Sequence, residues 1–105
     1  MQIEEFTSLK KRMTLIANNY FKAMDILKRF PSLSEQNIKL LNAYINGVNR
    51  AYELLEEEEK NFINDVYFYN GSIRKWKIAF TGDELEKKHR QVIIHFMEGF
   101  YATIR

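Results

Sequence analysis

The sequence has no cysteine, a single proline and four glycines in 105 residues. Without thiols there can be no disulfides, thiolate metal sites or cysteine nucleophiles, and the absence fits a reducing compartment. So few breakers favour long helices over many short strands. No apolar run approaches the roughly 18–20 residues of a membrane span. The first residues, Met1-Gln2-Ile3-Glu4-Glu5, are acidic where a secretory signal would be basic. The expectation is a cytoplasmic protein with no membrane partner. Also missing are a glycine-rich phosphate loop, a serine flanked by glycines and paired inward carboxylates. No catalytic residue, no enzymatic activity and no cofactor is expected.

What the chain does have is apolar periodicity. Hydrophobic residues make up 46% and charged residues 29%, a globular balance. The length suits one domain with its own core, so residues 1–105 read as a single domain. Ile38, Leu41, Ile45, Val48, Tyr52 and Leu55 follow heptad spacing and form one seam of a helix. Gln36, Asn37, Lys39, Asn42, Asn46, Asn49, Arg50 and Glu53 fall on its wet side. A second stripe, Ile3, Phe6, Leu9, Met13, Ile16, Tyr20, Met24 and Leu27, marks an earlier amphipathic helix. Pro31 ends that helix by pushing the preceding residue out of helical geometry. Two caps compete for the next start. Ser32 with Glu35 makes a capping box, while Ser34 places Leu33 and Ile38 in staple positions. Either gives a short connection, hence an antiparallel hairpin over about 2–29 and 34–58.

Beyond Leu55 nothing breaks a helix, so the second helix either runs on to Phe68 or stops near Leu55. In the second case Glu56–Glu59 form the first turn of a third helix, where their charge suits the dipole. Tyr69-Asn70-Gly71-Ser72 reads as a turn, with Ser72 placed to cap a short helix carrying Ile73, Trp76, Ile78, Ala79 and Phe80. Thr81-Gly82-Asp83 breaks it, and Asp83 is the expected N-cap of the last helix. That helix carries Leu85, Val92, Ile93, Phe96, Met97, Phe100, Tyr101 and Ile104, with Gly99 marking a close crossing. The fold expected is all-α: a helical hairpin (2–58) carrying a compact C-terminal helical unit (60–104) of helix-turn-helix outline. Two helices alone leave their seams wet, so either the last helix covers the hairpin or two hairpins pair; a homodimer is expected.

The formal net charge is +2, with a mildly basic body divided by the acidic run Glu56–Glu59. In a helix-turn-helix unit the head of the second helix meets base edges, here Lys87, Lys88, His89, Arg90 and Gln91. Arg74, Lys75 and Lys77 on the preceding helix would reach phosphates. Double-stranded DNA is therefore one expected partner. The bland alternative is a solvated helix face.

The order Leu54-Leu55, an acidic run, Phe62-Ile63, Tyr67-Phe68, then Ser72, Trp76 and Ile78-Ala79 resembles the sigma-factor region 4-like helix-turn-helix. Small phage transcription regulators of the ArpU type carry this module after a helical hairpin, and the likeness covers about the last half of the chain. It implies a DNA-binding regulator of phage or mobile-element type. The chain departs from the family at the recognition helix, which starts Asp83-Glu84-Leu85 instead of with an aliphatic residue and serine. Gly82 also follows Ala79 sooner than the family expects.

Two further features carry chemistry. Glu86-x-x-His89 has the helical spacing of di-iron bundles, but the other histidine, His95, lacks the matching carboxylates, so no metal is expected. His95 reads as a core-edge histidine. Glu56, Glu57, Glu58 and Glu59, with exposed aromatics such as Tyr67 and Tyr69, could instead dock a protein partner. Two functions result: a small DNA-binding transcriptional regulator, and a helical protein–protein interaction module.

Overall fold

The computed structural model describes residues 3–30, 32–69 and 73–104. Within them the chain is all-α and contains no strand. Helix α1 spans Ile3–Arg29, α2 Glu35–Glu53, α3 Glu57–Ile63, α4 Arg74–Ala79 and α5 Gly82–Ile104, with a π-helical segment, Asn64–Phe68, continuing α3. The molecule is elongated, 49 × 26 × 26 Å.

The hairpin forms as its stripes require, and its turn selects one of the two caps. Ser34 accepts from the Asn37 N–H at 3.2 Å, leaving Ser32 outside the helix. The second helix stops at Glu53, short of residue 58. Leu54 and Leu55 close it with bonds to Arg50 and Tyr52 carbonyls, and the glutamates open α3. There the Glu56 N–H donates to Glu59 Oε1 at 3.1 Å, satisfying a donor the new helix would otherwise orphan.

The cover for the α2 seam comes from the same chain. Helix α5 packs on α2 at Gly47, Ala51 and Leu54, and Val48 and Leu55 are buried within the same chain, so this half of the seam needs no second copy. Two glycines permit the approach. A Cβ on Gly99 would sit 3.2 Å from Ala51 Cα, and one on Gly47 would meet Ile104 and Phe100 side chains. Ahead of Gly47, Tyr44 bonds the Ile16 carbonyl on α1 and sets its ring against Phe100 of α5, while Ile38, Leu41 and Ile45 stay half-buried. On α1 the stripe drifts after Tyr20: Ala23 is buried and Met24 is exposed.

Phe62, Ile63, Val92, Ile93, Phe96 and Met13 are fully buried and form the centre of the core. Helix α5 runs through this centre, burying Leu85, His89, Val92, Ile93, Phe96, Met97 and Phe100 along one face. Its cap is Thr81, two residues before the expected Asp83. The Glu84 N–H donates to Thr81 Oγ1 at 3.3 Å, and the Thr81 hydroxyl donates to Glu84 Oε1 at 2.9 Å. Helix α4 is anchored by Trp76, whose indole N–H donates to Asp65 Oδ2 at 2.9 Å. Ile78, placed on the apolar side by its sequence pattern, is exposed. Asn70, Gly71 and Ser72, with the cap expected of Ser72, lie outside the described residues.

Candidate functional site

The first half of α1, the π-helical segment, α4 and the head of α5 enclose an open groove of about 1100 Å³. Phe6, Leu15, Val66, Ile73, Phe80 and Leu85 give it an apolar lining. Lys10 and Lys11 stand on the α1 wall and Lys77 on the α4 wall. Among the described residues the one acid in the lining, Glu86, holds Arg90 at 3.1 Å. The groove therefore offers apolar surface under a basic rim.

At its base Tyr67 Oη and His89 Nε2 share a hydrogen bond of 2.6 Å. The Phe6, Phe62 and Tyr67 rings meet the His89 imidazole edge-on, with centroids 5.2, 5.0 and 5.6 Å away. Burial, helped by the nearby charge of Lys10, lowers the His89 pKa from 6.5 to about 4, so the imidazole is neutral at pH 7. Burial likewise raises the Tyr67 hydroxyl above its ordinary value. Each polar group satisfies the other, and neither is poised for proton transfer near neutrality.

The π-helical segment makes this base. The Tyr69 N–H bonds to the Asn64 carbonyl at 2.9 Å, five residues back. The wider turn lets consecutive Tyr67 and Phe68 both face inward, Tyr67 onto His89 and Phe68 onto Phe96 and Tyr20. Tyr69 alone of the three is exposed.

The side chains assigned to DNA divide sharply. Arg74, Lys75, Lys77, Lys87 and Gln91 are exposed. Lys75 also bonds Asp65 at 3.4 Å. Lys88 is bound to Glu58 at 2.5 Å and lies over the Trp76 and Phe80 rings. Arg90 pairs with Glu86, and its guanidinium lies over Phe6. His89 is buried, which corrects its assignment to base edges: it sits in the stripe Leu85–His89–Val92–Phe96 and faces the core. Seven of the eight residues are at or near the surface, but the head of α5 is largely tied to the protein itself.

The acidic run is likewise partly consumed. Glu59 is buried, correcting its place in a docking patch. Its Oε2 accepts from His95 Nδ1 at 2.5 Å while Oε1 takes the Glu56 N–H. Glu58 holds Lys88, while Glu56 and Glu57 are exposed. Tyr67 lies inside the groove and not on an outer face. His95 is exposed at the edge of α5 with one nitrogen on Glu59. Glu86 and His89 point to different protein partners. Among the described residues no three His, Asp or Glu side chains gather as metal ligands, and no helix is long and apolar enough to cross a membrane.

The groove went unseen in the sequence because its walls come from four separated segments. His89 and Glu59 were legible: Leu85, His89, Val92, Phe96 and Glu59, Phe62, Ile63, Val66 each continue an apolar face. No family model, curated protein or solved structure matches the chain.

Proposed function

We propose that the protein is a non-enzymatic helical interaction module that binds a protein partner through the groove between α1 and α4–α5. The observation carrying this reading is the apolar groove beneath Lys10, Lys11 and Lys77. Small-molecule sites run to roughly 300–1,000 Å³ and enclose most of their ligand. A groove of about 1100 Å³, just above that range and open along its side, suits a polypeptide segment better. The Tyr67 hydroxyl and His89 Nε2 at the base are paired with each other, which suits apolar side chains.

A second reading, a small DNA-binding transcriptional regulator, is supported by exposed Arg74, Lys75, Lys77, Lys87 and Gln91. It has less to work with, because Lys88 and Arg90 are paired and Asp83, Glu84 and Glu86 stand among them with the wrong sign for phosphates. One pair of titrations separates the readings. An apolar sulfonated dye should bind the groove with saturable fluorescence gain, lost in Leu15→Glu. Random duplex DNA at low salt should show no saturable affinity. A logarithmic salt slope of several units, each phosphate contact contributing about 0.9, would instead establish the regulator.

A further inference from the structure

We infer that the groove takes an amphipathic helix whose apolar face is flanked by acidic side chains; this rests on the interaction-module reading and names its partner. The shape comes first. The α1 wall runs from Phe6 to Leu15 with Thr7, Lys10, Lys11 and Thr14 between. At about 1.5 Å per residue that is roughly 13 Å, or two and a half helical turns. A helix laid along this wall presents anchors at i, i+3 or i+4 and i+7, the register by which grooves read helices. The opposite wall, Ile73, Phe80 and Leu85, is apolar to match.

Charge then selects the kind of helix. Lys10 and Lys11 edge one wall and Lys77 the other, so both flanks of a seated helix meet ammonium groups. Glu86 does not cancel them, since Arg90 neutralises it at 3.1 Å. Half-buried Tyr67 and buried His89 carry no charge at neutral pH, and the apolar floor rejects a helix with charge on its inner face. A basic helix would place like charges against the lysines, which opposes binding and selects against that class.

The test uses the full chain and three fluorescent helical peptides sharing one scaffold. One carries leucine anchors with glutamate flanks, one the same anchors with lysine flanks, and one glutamate flanks with serine anchors. Fluorescence anisotropy should show the first binding at least about tenfold tighter than either other. Its affinity should fall as salt rises from about 50 to 300 mM. Lys10→Glu with Lys77→Glu should reverse the flank preference, and Leu15→Glu, at an exposed position, should abolish binding of all three.

If the lysine-flanked peptide binds as well as the first, and Leu15→Glu still removes both, the acidic partner is overturned while the groove reading stands. If no peptide binds, or Leu15→Glu changes nothing, the groove reading falls as well. Competition by dodecanoate at equal affinity would overturn the helix in favour of a small amphiphile. Circular dichroism of each variant guards against loss through unfolding.

Discussion

The Tyr67 hydroxyl and His89 Nε2 stand 2.6 Å apart, joining the π-helical segment to the central helix at the base of the groove. This pair ties stability to pH. His89 titrates at about 4 in the folded chain against 6.5 ordinarily, so protons bind the unfolded chain more readily. Its contribution is complete above pH 6.5 and is lost as pH falls toward 4. Unfolding free energies from urea titrations at pH 7, 5.5 and 4.5 should decline with a slope from this group of at most about 1.4 kcal/mol per pH unit. His89→Gln should be less stable at pH 7 and flatter across the same window.

Tyr67→Phe keeps the ring and removes the hydroxyl. His89 then has no partner for Nε2 at a site where it is buried. We expect a loss of about 1–3 kcal/mol in denaturant unfolding at pH 7. An unchanged midpoint would mean that water entering the groove replaces the hydroxyl.

Gly99 holds α5 against α2. Gly99→Leu would drive a side chain into the Ala51 backbone, 3.2 Å from the first added carbon, and should destabilise by about 1–3 kcal/mol or more. Gly82 meets nothing within 4 Å, so Gly82→Ala should be neutral or stabilise by up to about 1 kcal/mol. The contrast between two glycines on one helix, read by thermal unfolding, isolates the crossing.

Glu59 bridges two helices with two bonds, one to His95 and one to the Glu56 N–H. Glu59→Ala removes both and should cost about 1–3 kcal/mol. Glu57→Ala, at the exposed neighbour, should change stability by less than about 0.5 kcal/mol. Equal effects would mean that the run acts only through its summed charge.

The two hairpin stripes were legible because heptad spacing on a long helix has few other readings. The end of α2 has no sequence signal of its own, since Leu54 and Leu55 are good helix formers and the break depends on Glu56 and Glu59 closing a cap. The π-helical turn has no spacing signature in the chain, so the inward Tyr67 could not be placed beforehand. At the head of α5 the run of basic residues has the composition of a surface. The apolar period through His89 and the pairing of Lys88 with a helix thirty positions earlier carried the opposite information, and the pairing appears only in three dimensions.

Chemical-shift mapping on the ¹⁵N-labelled protein tests the central claim most directly, because it reports where a ligand sits without any substitution. The glutamate-flanked peptide should shift the amides of Thr7, Lys10, Thr14, Val66, Lys77 and Leu85 in saturable fashion, while duplex DNA at the same ionic strength leaves the spectrum unmoved. Shifts from DNA centred on Arg74, Lys75, Lys87 and Gln91, with the groove amides silent to the peptide, would contradict it.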